Sequence, residues 1–213
     1  MPEHSRNPQL LNVPYFQQTW TATCGPACLM MVMHYWDSSV KLSQELEFHL
    51  WAKSHSMFLF GGTFQFGLAA AAKKEGFEAE IYQHGRFCDE YPKFPYFATL
   101  METMVSFHAR REHIPILYGA DTMAVVRGGL HRSIPPIVFI NLFPILGENV
   151  FHWVVVTGLD EQNVYMNDPY VPMGFCLKQK KDYPVSLDIF SQAMATQSGR
   201  NLRFPPCVVL IRK

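Results

Sequence analysis

The chain predicts an α+β protein with helices first and an antiparallel sheet later, and two observations carry this. The early half reads as a series of apolar helical segments with recognisable starts and stops, whereas from residue 137 onward short β-branched runs alternate with Pro, Gly, Asn and Asp turns. The 213 residues suffice to bury a core without disulfide or metal, so one domain is expected over 1–213.

Taken in order, residues 10–16 (Leu-Leu-Asn-Val-Pro-Tyr-Phe) suit a short edge strand, since Pro14 has no N–H for a central ladder. A helix starts at Cys24-Gly25-Pro26, because proline is tolerated only in the first turn, and its nearly continuous apolar run makes it central. Ser43 caps a second helix to about residue 53. A loop over 58–62 leads to a third helix, 64–75, whose Ala69 to Ala72 run permits close packing and whose end is marked by Gly76. Alternation predicts a strand over 77–82, and the proline-bearing stretch 84–95 reads as an irregular loop. A helix over 97–112, a strand over 116–118 and a helix capped by Asp121 and running to about residue 131 follow. Strands over 137–141, 152–157 and 164–167, a helix near 187–195 and a strand over 207–211 complete the chain.

Lys+Arg and Asp+Glu number 18 each, so no net charge draws the chain to nucleic acid or an anionic membrane, and neither is an expected partner. No run approaches the ~18 apolar residues of a membrane span. The amino terminus lacks an apolar core followed by a cleavage site, so no secretory signal is expected. Five cysteines, Cys24, Cys28, Cys88, Cys176 and Cys207, are scattered and odd in number, which fits a reducing, cytoplasmic setting. Cys24 and Cys28 lack the further ligands zinc would need, and Met30, Met31 and Met33 fall on different faces, so neither a metal nor a cofactor is expected.

Chemistry gathers at four residues. Cys24 lies where unpaired helix N–H groups and the positive end of the dipole face its sulfur, the setting that makes cysteine a nucleophile. Gln18, six residues earlier, offers an amide to an oxyanion formed there. His152 stands at the mouth of an apolar strand and Asp168 closes the next, supplying a base and the acid that orients it. The hairpin between them poses a parity problem. If Leu159 pairs with Val164 in a regular ladder, Asp168 faces Val155, on the side opposite His152. Either an extra residue with its bulge at Gly158, where glycine accepts the required backbone angle, or a position for Asp168 beyond the strand end removes the conflict. His34, ten residues into the helix, lies ~15 Å along it from Cys24, too far to serve.

These residues carry a resemblance. Q-T-W-T-A-T-C-G-P-A-C-L-M-M and H-W-V-V-V-T-G-L-D-E-Q-N-V-Y-M-N-D-P-Y resemble the two active-site motifs of the bacteriocin-processing, double-glycine-leader cysteine peptidases and their stand-alone relatives. Softer likeness covers G-T-F-Q-F-G-L-A-A-A-A-K-K-E-G-F-E-A-E and the tail to Val209. The resemblance implies a papain-like fold, with the active site in a cleft between an N-terminal helical lobe and a C-terminal antiparallel sheet. It implies Cys24 as nucleophile, His152 as base, Asp168 as its orienter and Gln18 as oxyanion donor. The expected activity is a thiol peptidase or amidase on a peptide-like substrate. The same acyl-enzyme could instead serve an acyltransferase or transpeptidase, and a cleft without turnover would be a peptide-binding module. Family members that remove leaders are generally the first domain of an export transporter, whereas this sequence has no P-loop and is closer to the stand-alone branch.

Overall fold

The computed structural model describes residues 10–56, 61–170, 180–195 and 203–213; most of the expected 58–62 loop, and Cys176, lie outside them. The order is α1 (Cys24–Trp36), α2 (Gln44–Ser54), α3 (Gln65–Lys74), β1 (Glu78–Gln83), α4 (Phe87–Glu90), α5 (Pro95–Arg111), β2 (Ile116–Tyr118), α6 (Thr122–His131), β3 (Ile137–Asn141), α7 (Phe143–Leu146), β4 (Phe151–Leu159), β5 (Asn163–Asn167), β6 (Tyr183–Ser186), α8 (Leu187–Ala195) and β7 (Cys207–Arg212). The strands form one sheet in the order β2-β1-β7-β3-β4-β5-β6. Every adjacent pair is antiparallel except β1 with β2, and β1 joins the sheet through β7. The fold is α+β, as expected, with the early strand β1 built into the late sheet.

Two apolar clusters sandwich the sheet. Trp153 and Val155 of β4, Ile137 and Phe139 of β3 and Val209 of β7 pack with α1 and α3, whereas Val154, Val156, Val138 and Val208 pack with Val126 of α6 and Phe190 of α8. Successive β residues therefore alternate between the two cores, which is why β3 and β4 read as unbroken apolar runs. Every residue of α1 from Cys24 to Met33 is buried.

The helix starts follow their sequence signals. Ser43 Oγ accepts from Leu46 N at 3.2 Å, and Asp121 Oδ1 accepts from Ala124 N at 3.0 Å. Gly76 takes a left-handed φ of 87° just beyond α3.

Two expectations need correction, and two further elements were not foreseen. Residues 10–16 form no strand: Leu11 N donates to Thr157 O at 2.7 Å, but Pro14 has no donor, and the Val13 and Pro14 carbonyls are taken by the Asn167 side chain at 3.3 and 3.2 Å. The 84–95 stretch contains α4, where the Asp89 carboxylate accepts from Arg86 N at 2.6 Å. The connection between β3 and β4 contains α7, opened around Pro144 and closed by Gly147 at φ 75°. Finally, β6 was not foreseen; its Pro184 is tolerated because at the sheet edge the missing N–H faces no further strand. The two helices are single turns, too short for periodicity to reveal.

Close packing of α3 onto α2 rests on Gly67, where an added Cβ would lie 2.3 Å from the Ser54 carbonyl oxygen. Gly128 in α6 has nothing within 4 Å of that position. Gly67→Ala should therefore lower stability by about 2 kcal/mol or more despite its better helix propensity, whereas Gly128→Ala should raise it by about 0.5–1 kcal/mol. Denaturant unfolding of both variants measures the difference.

Candidate active site

The hairpin does carry one extra residue, but one position before the Gly158 expected to hold it. Leu159 pairs with Val164 and Gly158 with Tyr165, but Val156 pairs with Met166 and Val155 with Asn167, so Thr157 is the extra residue. Continued one step, this register sets Asp168 opposite Val154, which shares parity with His152, and Asp168 also lies just past the end of β5. His152 Nε2 accordingly donates to Asp168 Oδ1 at 2.8 Å. Both side chains are almost fully buried, 3% and 1% exposed.

Cys24 opens α1 close enough to His152 for its thiol to help hold the imidazole proton, and Nδ1 is the ring nitrogen not bound to Asp168. The helix is seated by Trp153, the neighbour of His152. Cys28 Sγ donates to Trp153 O at 3.2 Å, and Trp153 Nε1 donates to Thr63 O at 2.9 Å. A Cβ on Gly25 would meet Thr63 at 3.1 Å and the Trp153 ring at 3.3 Å, so glycine is what lets the start of α1 come this close to β4.

Gln18 is buried and tied to the other side of the site, its backbone N donating to Pro169 O at 3.0 Å. Its Nε2 donates to Trp20 O at 2.6 Å; the reverse orientation would set two acceptors together, so this carbonyl fixes the amide. One N–H of the amide is thereby engaged and the other left over, while Oε1 is buried without a partner among the described residues.

Several contributing residues were not singled out from sequence. Lys180 Nζ lies 2.8 Å from Asp168 Oδ2, with a side chain only 13% exposed. It is one of three lysines in Lys178-Gln179-Lys180-Lys181, and nothing in that run marks which turns inward. Tyr170 N donates to Asp168 Oδ1 at 2.9 Å, and its ring meets the His152 ring edge-on at 5.6 Å. Tyr15 OH donates to Asp168 O at 3.0 Å. Glu47 is fully buried on α2, accepting from Thr19 N at 2.8 Å, Thr19 Oγ1 at 2.6 Å and Thr23 Oγ1 at 2.5 Å, and so braces the loop between Gln18 and Cys24. A signal for Glu47 existed, since it falls three residues before buried Leu50 and so faces inward with it. The other described histidines have different surroundings: His34 Nδ1 contacts Val40 O, His49 pairs with Glu75 and His55 stacks on Trp51. No group of His, Cys, Asp and Glu suited to a metal ion occurs among the described residues.

Electrostatics follow from this geometry. Burial pushes the His152 imidazole down, but the charge and hydrogen bond of Asp168, joined by those of Cys24, raise it to about 9. Burial pushes Asp168 up, and His152 and Lys180 together outweigh it, bringing the carboxyl to about 2. Burial first, then the charges of Cys24 and Asp168, raise Cys28 well above its ordinary range. The two shifts set opposite limits on stability. The raised His152 stabilises the fold fully below its ordinary 6.5, and this is lost as pH rises through about 9. The lowered Asp168 stabilises it above its ordinary 3.8, and this is lost as pH falls through about 2. Thermal unfolding against pH should thus show a plateau between about 4 and 6.5 with a decline on either side. His152→Gln should remove the alkaline decline.

Comparison with known proteins agrees with this architecture. The profile of the Peptidase_C39 like family matches residues 13–209. No curated protein sequence matches significantly. Among solved structures, a C39-like peptidase from Bacillus anthracis is similar at 14% identity and a TM-score of 0.58, over 97% of this chain and 98% of that one. A double glycine motif protease from an AMS/PCAT transporter, crystallised with the leader peptide, is similar at 18% identity and a TM-score of 0.50, over 97% of this chain and 94% of that one. At these identities the likeness is one of fold, the mixed α+β arrangement of the C39 papain-like peptidases. With the family profile spanning nearly the whole sequence, the chain belongs to the Peptidase_C39 like family.

Proposed function

We propose that the protein is a cysteine peptidase or amidase, a single papain-like domain hydrolysing a peptide-like substrate through Cys24, His152 and Asp168 with Gln18 as oxyanion donor. The observation that carries this reading is the buried 2.8 Å bond from His152 to Asp168, on a ring whose proton the Cys24 thiol at the start of α1 also helps to hold. The leader peptide held by the transporter protease supports a peptide substrate, and Cys24, Cys28, Cys88 and Cys207, free among the described residues, suit a reducing, cytoplasmic setting. No helix among the described residues is long and apolar enough to cross a membrane.

In this mechanism Cys24 and His152 share one proton, and with it held on the imidazole the thiolate attacks the substrate carbonyl carbon to form a C–S bond. Asp168, held ionised, stabilises the imidazolium and keeps Nδ1 aimed at the sulfur. Negative charge moves to the carbonyl oxygen, where the free N–H of Gln18 and the backbone N–H of Cys24 receive it. As the C–N bond breaks, His152 gives its proton to the departing amine, leaving a thioester. Water, deprotonated by His152, then releases the acid and restores the thiol.

Iodoacetamide labelling with mass-spectrometric readout tests the nucleophile. At neutral pH Cys24 should react at least tenfold faster than Cys28 or Cys207, because burial raises the thiols of both comparison residues. His152→Ala should abolish the advantage, and equal rates in the wild type would defeat the reading. A peptide library incubated with the protein should yield a thioester on Cys24. With a substrate so found, Gln18→Ala should lower kcat by about 10²–10³-fold. Turnover should also fall above pH 9, as His152 loses the proton the leaving group requires.

A further inference from the structure

Asp168 is held at both oxygens. Oδ1 accepts from His152 Nε2 at 2.8 Å and from Tyr170 N at 2.9 Å, while Oδ2 faces Lys180 Nζ at 2.8 Å. Lys180 does not arrive there as a loose surface chain. Its backbone carbonyl accepts from Asp168 N at 3.1 Å, and its ammonium sits over the rings of Tyr170 at 5.6 Å and Tyr183 at 6.0 Å. The ammonium is thus fixed by a carboxylate on one side and by aromatic faces on others, with little access to water.

We propose that Lys180 is a positioning residue of this site: pairing with Oδ2 fixes the Asp168 carboxylate against His152 through Oδ1 and partly neutralises it, so that His152 can give up its proton to a leaving group. An Asp168 without this partner would hold the imidazolium more tightly and turn more freely. Too tightly held a proton is as unhelpful as too loosely held a one, because a catalytic acid works best when its affinity matches the operating pH.

The other titratable groups around the pair are Cys24 and Cys28 from α1, Tyr15 from the amino-terminal segment, Tyr170, Glu148 behind the Tyr170 hydroxyl, and Tyr183 from β6. Burial raises Tyr15 and Cys28, and the hydrogen bond to Glu148 raises Tyr170 to about 12, so these three stay neutral while His152 titrates. Lys180 is the fixed cation that the described residues bring to Asp168.

The proposal rests on the triad reading above, yet its primary test needs no turnover. In the full chain labelled with ¹⁵N-histidine, the His152 resonances are assigned by comparison with His152→Gln and followed against pH. Lys180→Met should raise the His152 midpoint by about one pH unit, a tenfold gain in proton affinity. Lys180→Arg, which restores the charge, should return it to within a few tenths of a unit of wild type. A midpoint that stays put or falls in Lys180→Met overturns the proposal. Should that variant not fold, the wild type decides: the ¹⁵Nζ signal of Lys180, assigned with Lys180→Arg, should move as His152 titrates, and a signal indifferent to that titration overturns the proposal equally. The two ideas fail separately. A slow-reacting Cys24 beside a His152 that still responds to Lys180 counts against the peptidase alone, whereas a reactive Cys24 beside an unresponsive His152 counts against Lys180 alone.

Discussion

The seating of α1 on β4 is the contact on which the site depends. Trp153 supplies most of it: its indole packs among the α1 and α3 side chains, its N–H is used by Thr63 and its carbonyl by Cys28. Because strand residues alternate, burying Trp153 beneath the helix turns His152 to the other side and toward the strand end. Gly25 then sets how near the helix may come, as its missing Cβ is the space that Thr63 and Trp153 occupy. A small shift here would separate sulfur from imidazole, and the acyl transfer proposed for this site would tolerate little misplacement.

The bulge at Thr157 is the second geometric condition. A regular β4–β5 ladder would place Asp168 on the α1 face, among side chains with no use for a carboxylate. With one residue inserted, Asn167 takes that inner position, where its amide serves the Val13 and Pro14 carbonyls, and Asp168 turns to His152. The bulge has its own cost. The Thr157 hydroxyl is buried without a partner among the described residues, a loss on the order of 1–3 kcal/mol, and the backbone carbonyl is occupied by Leu11 rather than a strand. Local irregularity is thus retained where it aims a side chain, a frequent use of bulges.

Much of this could be read in the sequence because the signals are local. Cys24-Gly25-Pro26 announces a helix start within three residues, Ser43 and Asp121 announce caps, and the parity conflict between His152 and Asp168 can be counted on a hairpin with a short turn. Where the deciding partner lies far along the chain, the sequence is mute. Nothing near Lys180 marks it off from Lys178 and Lys181, because what selects it is the carboxylate of Asp168 and the rings of Tyr170 and Tyr183. The pairing of β1 with β7 joins residues more than a hundred apart, so an early strand gave no sign of belonging to the late sheet. The segment 10–16 had the composition of a strand, but its carbonyls went to the side chain of Asn167 rather than to a ladder.

Electrostatics give the arrangement its economy. His152 bonds Asp168 and Asp168 pairs with Lys180, while the Cys24 thiol acts on the same His152 ring, so the four form a row. With thiol and neutral imidazole the row carries one negative and one positive charge; after proton transfer it carries two of each. Its net charge is zero in both states. Without Lys180 the row would hold a net negative charge in either state, and burying an unbalanced charge is costly in a way that burying paired ones is less so. In the mechanism proposed above, proton movement between sulfur and imidazole would redistribute charge inside a neutral group, so neither state would call for an ion or water from outside. A chain with equal numbers of acidic and basic residues can therefore hide its most consequential balance in four side chains that composition alone would never single out.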